Sequence, residues 1–228
     1  MANLRHDVGR STIAKVMKTA GLEPAPQRRK GLTWKEFLKT HWQALAATDF
    51  FTVELWTAKG LVRYHVRFVI RLATREVKLA GIVPEPNAAW MQQAARQLTD
   101  PWDGFLHSSR YLIHDRATLF TEQFRRTLHD ASVETIRLPA RSPNLNAYAE
   151  RFVRTIRQEC LNRMIFFGEA SLRRAIVEFI RHYNSERNHQ GLANQIIRPE
   201  FPRFPVEGQV CCRKRLGGLL RYYYRKAA

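Results

Sequence analysis

Ala47-Thr-Asp-Phe-Phe-Thr-Val-Glu-Leu-Trp56 is the stretch on which the fold turns. Its polar and apolar residues alternate and it is rich in Phe, Thr and Val, which predicts a half-buried strand. Thr57-Ala-Lys-Gly60 supplies a turn, and Val62–Leu72 reads as a second strand. The short Ala73-Thr74 link leads to a third, Arg75–Ile82. Links this short join antiparallel neighbours.

Downstream the period changes. Pro86–Leu98 carries Trp90, Met91, Ala94, Ala95 and Leu98 on one side, which predicts a helix. Tyr111–His114 reads as a short buried strand. A helix over about 119–130 turns Phe120, Phe124 and Leu128 inward, and Val133–Leu138 is a fifth strand. Pro143 opens a long helix to about Arg163, and a last helix runs from about Ser171 to Tyr183. The order β-β-β-α-β-α-β-α-α predicts an α/β domain: a mixed five-stranded sheet with flanking helices, ribonuclease H-like in its order.

Upstream, residues 11–20 predict a short helix capped by Ser11, with Ile13, Val16, Met17 and Ala20 on one face and Gly21 as its stop. The pattern resembles the second helix of a helix-turn-helix and fits a plain amphipathic helix equally well. Ten preceding residues hardly hold a complete first helix. Residues 21–33 contain two prolines and the run Gln27-Arg-Arg-Lys30, a linker suited to a phosphate backbone, with Arg28, Arg29 and Lys30 as candidate DNA contacts. Residues 34–42 read as another amphipathic helix. For the basic, aromatic tail, phosphate contact with stacking and a last strand packed on the core both stay open. The expected division is thus 1–33, a partial helix-turn-helix-like segment and linker; 34–202, the core; and 203–228, the tail.

Charge narrows the function. The chain has 228 residues with 38 Lys and Arg against 20 Asp and Glu, a net charge of +18. Such a surplus repels itself unless an anionic partner is present. Residues 1–40 hold nine Lys/Arg against three Asp/Glu, and 203–228 hold seven against one. Basic density at both ends suits arms on nucleic acid. Apolar runs are short and broken by Arg67 and Arg71, so no membrane span is expected. Cys160, Cys211 and Cys212 form no CxxC pair and suggest neither a disulfide framework nor a zinc site. That usage fits a reducing interior. The first residues contain no apolar signal-peptide core.

Three acids stand out by context. Asp49 shares strand parity with Phe51, Val53 and Leu55, and a carboxylate in such a set is costly unless paired or bound to a cation. Asp115 closes the fourth strand, where acids at a carboxyl edge often line a crevice. Glu150 sits on the long helix with Arg154 and Arg157 on its face, opposite Ala149, Phe152, Val153, Ile156 and Cys160. Each has an ordinary alternative: Asp49 pairing with an arginine, Asp115 capping the next helix, Glu150 pairing with Arg154. Together they fit a scheme in which carboxylates hold two divalent cations about 4 Å apart across a phosphoryl transfer.

The blocks Ala47-Thr-Asp49, Ile113-His-Asp115-Arg and Ser142-Pro-Asn-Leu-Asn-Ala-Tyr-Ala-Glu150-Arg-Phe resemble the three catalytic blocks of the integrase-core DDE superfamily, which includes bacterial insertion-sequence transposases and retroviral integrases. The 34 residues between Asp115 and Glu150 and the basic Arg157 seven positions after Glu150 also resemble the family pattern. So does His182-Tyr-Asn-Ser-Glu-Arg-Asn-His-Gln-Gly-Leu192, its closing block. The resemblance implies that Asp49, Asp115 and Glu150 are catalytic and ligate two Mg²⁺ or Mn²⁺ ions, with Arg154 and Arg157 on the DNA. It implies cutting that leaves a 3′-hydroxyl and transesterification into target DNA. It also implies double-stranded DNA partners (transposon ends and target), a homo-oligomer on DNA, no membrane, and a bacterial, cytoplasmic, nucleoid-associated setting. The zinc-binding arm of retroviral integrases is absent, since His6 has no cysteine nearby. Two alternatives stand: an inactive DNA-binding relic, and a nuclease that hydrolyses without joining.

Overall fold

The computed structural model describes residues 9–21, 34–138, 146–200 and 208–226. The chain divides into two units, residues 1–41 and 42–228. In the first, α1 (Arg10–Thr19) begins one residue earlier than its sequence suggests. Gly9, not Ser11, is the N-cap, because its carbonyl already accepts the N–H groups of Thr12 and Ile13 at 3.0 and 3.2 Å. Gly21 stops it with φ at 66°. In α2 (Trp34–His41) one aromatic row runs along the helix, Trp34 stacked on Phe37 at 5.6 Å and Phe37 tilted on His41 at 4.8 Å. Arg28, Arg29 and Lys30 lie outside the described residues.

The second unit is built on one sheet. β1 (Leu45–Thr57) and β2 (Gly60–Arg71) are antiparallel across the expected turn, where Thr57 donates its hydroxyl to the Gly60 carbonyl at 2.9 Å. β3 (Val77–Val83) runs antiparallel to β2. It starts later than the sequence suggests, because Arg75 takes a left-handed backbone (φ 66°) and ends the ladder there. β4 (Tyr111–His114) lies parallel to β1, and β5 (Glu134–Arg137) parallel to β4. The order is β3-β2-β1-β4-β5, a mixed ribonuclease H-like sheet.

Register decides what each face carries. Phe50 pairs with Arg67 and Thr48 with Val69, and these side chains turn to one face. There α3 (Ala88–Leu98) and α4 (Glu122–Asp130) seal a core of Ala46, Val69, Met91, Leu98, Leu112, Phe124 and Leu128. Both helices are capped by side chains: Asn87 accepts from Trp90 N–H, and Thr121 from Phe124 N–H. The Thr121 cap starts α4 at Glu122, later than expected.

Asp49 pairs with Phe68, so these side chains turn to the other face, beneath α5 (Ala147–Glu159) and α6 (Gly168–Ser185). Phe68, Phe152, Phe179 and Tyr183 form a run of ring contacts there, from 4.7 to 6.3 Å. Burying each such side chain is worth about 2 kcal/mol. The Asn184 amide on α6 donates to the Val77 carbonyl at 2.8 Å and accepts its N–H at 3.1 Å, tying the helix to β3. The long helix expected from Pro143 to Arg163 is shorter: Cys160 leaves helical geometry, and Leu161–Arg163 form a separate 3-10 turn. Pro143 lies outside the described residues.

β6 (Val210–Arg215) and β7 (Leu220–Arg225) form a separate hairpin. Arg215 grips Glu186 of the α6 C-terminus through Nε at 2.9 Å and Nη2 at 2.6 Å, and reaches Glu178 at 2.6 Å. Arg213 bonds Glu186 at 3.1 Å and Glu200 at 2.7 Å. Two of the tail's arginines are therefore committed to protein carboxylates. No helix among the described residues is long and apolar enough to cross a membrane.

Candidate active site

Asp49 and Asp115 stand at matching places on neighbouring strands. In the parallel β1–β4 pairing Ala47 lies opposite Ile113. Two residues further, Asp49 is still in β1 and Asp115 is the first residue beyond β4. Strand alternation sends both carboxylates to one face, on strands about 4.8 Å apart. That face also holds Phe51 and Leu55, both buried, so the sequence reading of Asp49 amid apolar neighbours holds.

Local bonds fix both groups. Asp49 Oδ1 accepts the Phe50 N–H at 2.8 Å, and Asp115 Oδ1 accepts the Ala117 N–H at 3.1 Å. Asp115 does not cap the next helix; Thr121 does. His114 donates Nδ1–H to the Asp115 carbonyl at 2.6 Å, and Arg116 Nε holds the Leu138 carbonyl at 3.0 Å. Burial lowers the His114 pKa and so favours the neutral ring, outweighing the bond to Asp115, which raises it. His114 thus braces the backbone at Asp115. Its only sequence signal was its place before Asp115.

Glu150 is carried by the first turn of α5. Phe152, two residues on, packs its ring 4.7 Å from that of Phe68, the β2 partner of Asp49. Ala149, Phe152, Ile156 and Cys160 are buried while Glu150 and Arg154 are exposed, as the helix pattern predicts. Arg157 is bonded to the neighbouring strand. Its Nη2 donates to the Thr52 carbonyl at 3.2 Å, because a half-buried guanidinium beside a strand takes the nearest free acceptor. Among the described residues Arg154 has no partner.

Asp49 feels the charges of the other two acids. Burial raises the Asp49 pKa from 3.8 to about 6; the Phe50 N–H opposes this, and the charges of Asp115 and Glu150 push it further up. No arginine or lysine among the described residues pairs with any of the three, in a chain holding 38 such residues. Oxygen donors with uncompensated charge suit hard divalent cations. The fit is incomplete as the chain stands. Among the described residues, no three His, Cys, Asp or Glu side chains form a ready metal-binding group.

A family model described as integrase core domain matches residues 131–196, the segment from the end of α4 through Glu150 to the loop after α6. The fold resembles the catalytic domain of Mos1 mariner transposase, with a TM-score of 0.51 and 16% identity over 77% of this chain and 83% of that one. It also resembles the HTLV-2 integrase catalytic core domain solved with magnesium. The dimeric form gives a TM-score of 0.51 at 11% identity and the trimeric form 0.50 at 12%, each over 68% of this chain and 93% of that one. Residues 131–196 thus match the integrase core domain family, and the fold is that of integrase and transposase catalytic cores. None of the curated proteins matches the chain. The matched segment carries Glu150, Arg154 and Arg157. Asp49 in β1 and Asp115 just beyond β4 lie outside it.

Proposed function

We propose that this integrase core cuts and joins DNA strands, with Asp49, Asp115 and Glu150 as its catalytic carboxylates. The reading is supported by the strand register that sets Asp49 beside Asp115, by the charges of Asp115 and Glu150 both acting on the buried Asp49 carboxyl, and by the lack of a basic partner for any of the three among the described residues, in a chain with a net charge of +18. Two divalent cations, Mg²⁺ or Mn²⁺, would there supply charge stabilisation on both sides of an in-line phosphoryl displacement. Magnesium in the HTLV-2 core supports that choice. Asp49 within β1 and Asp115 at the carboxyl end of β4 are held in place by the N–H groups of Phe50 and Ala117. Arg154 on the Glu150 face grips a strand phosphate, and Arg157 joins it on releasing Thr52.

The domain reading goes with this. Residues 34–202 form the catalytic core, 1–33 a DNA-contacting arm with Arg28, Arg29 and Lys30, and 203–228 a basic extension. The partners are double-stranded DNA, transposon ends and target alike, and a second copy of the chain on that DNA; the dimeric and trimeric forms of the HTLV-2 core support oligomers. The setting is the bacterial cytoplasm, on the nucleoid.

Incubating end-labelled duplex oligonucleotides with the protein and Mg²⁺ tests the reading. Expected are nicks ending in 3′-hydroxyls and joined products, both lost in Asp115→Asn by at least about a hundredfold with DNA affinity kept. Binding without nicking would leave a DNA-gripping relic, and nicking without joining a plain nuclease.

A further inference from the structure

The closing block from His182 to Leu192 has no task in the reaction above, yet it is a built structure. His189 donates its N–H to the Gln195 carbonyl at 3.1 Å and its Nε2–H to the Tyr183 carbonyl at 2.8 Å. Ala193 and Asn194 both take left-handed backbones, at φ 52° and 59°, which turn the chain back. The loop so fixed walls a cavity of about 320 Å³, closed on its other sides by Tyr148, Arg151 and Thr155 of α5 and by Arg75 of the β2–β3 turn.

Three guanidinium groups line this one space. Arg187 is paired with Glu159 at 2.6 Å. Arg75 lies 3.5 Å over the Tyr148 ring, and its Nη1 is buried without a hydrogen-bond partner. Arg151 is exposed and has no partner among the described residues. The charges of Arg187, Arg75 and Arg151 all act on the Tyr183 phenol, so they converge. Two of the three positive charges are uncompensated among the described residues. Gathering them around open space is unfavourable unless an anion enters, and the planar fork of arginine matches phosphate oxygens. Asn188 and Gln190 on the loop add neutral donors. Tyr148 and Arg151 flank Glu150 in the chain, so the cavity lies on the neighbouring side of the same helix turn.

We propose that this cavity seats a backbone phosphate of the bound DNA, held by Arg75 and Arg151 between α5 and the closing-block loop. The seat fixes the strand relative to Glu150 and gives the closing block its purpose. It rests on the DNA reading above, but not on the metal chemistry.

The test uses the full chain, a fluorescent duplex oligonucleotide and metal-free buffer with chelator, titrated between about 50 and 200 mM salt. Arg151→Gln is expected to lower affinity roughly tenfold and to reduce the slope of log affinity against log salt by about one; Arg151→Lys keeps that slope. Arg96→Gln, which removes an exposed α3 arginine bonded to Gln93, leaves it unchanged. An unchanged slope in Arg151→Gln, or an equal drop in Arg96→Gln, overturns the proposal while DNA binding stands. A wild type that binds no DNA sinks the DNA reading itself. A parallel arm follows thermal stabilisation by inorganic phosphate. If that stabilisation depends on Arg151 while the DNA slope does not, the occupant is free phosphate and the DNA assignment is wrong.

Discussion

Phe68 of β2 and Phe152 of α5 bring their rings to 4.7 Å, and this contact sets where Glu150 stands. Phe68 is the antiparallel partner of Asp49, and Phe152 lies two residues after Glu150. One aromatic pair therefore couples the helix that carries Glu150 to the strand paired with the one that carries Asp49. Phe152 is about 1% exposed, so its ring has no solvent alternative. Phe152→Ala is expected to cost about 3–5 kcal/mol, read by denaturant unfolding. Phe152→Leu fills most of the space and should cost far less. An alanine variant as stable as wild type would show that the ring does not hold the helix.

Asp49 predicts a pH dependence in metal-free buffer. Its folded pKa, about 6, lies above the ordinary 3.8, chiefly through burial. A carboxyl raised in the folded state favours folding while protonated. Its contribution is present below pH 4 or so and is lost as pH rises through about 6. Asp49→Asn, which keeps a neutral group, should remove that decline and stabilise the protein at pH 7 by on the order of 2 kcal/mol, allowing for the group's partial exposure. Thermal melts from pH 4 to 8 check this. Parallel wild-type and Asp49→Asn curves would contradict it.

Glu186 predicts the opposite sign. Burial alone would raise its pKa, but bonds from Arg215 and His182 outweigh burial and bring it from 4.5 down to about 2. Its stabilisation is therefore full above about pH 4.5 and fades as pH falls toward 2. The side chain is 1% exposed and that of Arg215 10%. Glu186→Gln leaves buried arginine charge short of its partner and should cost about 3 kcal/mol. Limited proteolysis should then cut between α6 and β6 faster than in wild type. Equal cutting rates would mean that the hairpin is held by Leu220 and Tyr222 instead.

Arg67 makes a case against its own usefulness to stability. It is 0% exposed, and burial lowers its pKa to about 9. It has a weak 3.3 Å bond to Thr48 and lies over the Phe124 ring at 4.7 Å, while its Nη2 has no partner among the described residues. A buried charge so poorly matched is often no better than an apolar side chain of like size. Arg67→Met should therefore hold or raise stability, by up to about 2 kcal/mol, whereas Arg67→Ala opens a cavity and loses about 3 kcal/mol. A large loss in the methionine variant would show that the guanidinium itself is needed.

Local pattern made much of this protein legible. Strand alternation has a period of two residues, so Phe51 and Leu55 place Asp49 on a buried face before any tertiary contact is known. The meander of β1, β2 and β3 followed from turns of a few residues. The split of α5 into a buried stripe and a face with Glu150 and Arg154 followed from helical spacing. Boundaries moved where backbone geometry intervened, as at Arg75, Thr121 and Cys160, because capping and left-handed turns are set by single residues whose choice depends on neighbours in space.

The sequence by itself determined the mixed sheet, the charge surplus and the three carboxylates worth watching, since periodicity and composition are properties of the chain. Only the tertiary structure decided what each arginine does. Arg157 meets a carbonyl 105 residues away, Arg215 meets Glu186 29 residues away, and Arg67 meets a cage of rings. Arg75, Arg151 and Arg187 meet one another around a single cavity. A long, flexible cation looks the same in sequence whether it ends on an acid, a ring, a carbonyl or a phosphate. Packing of distant elements selects among them, because it alone fixes which partner lies within hydrogen-bonding reach.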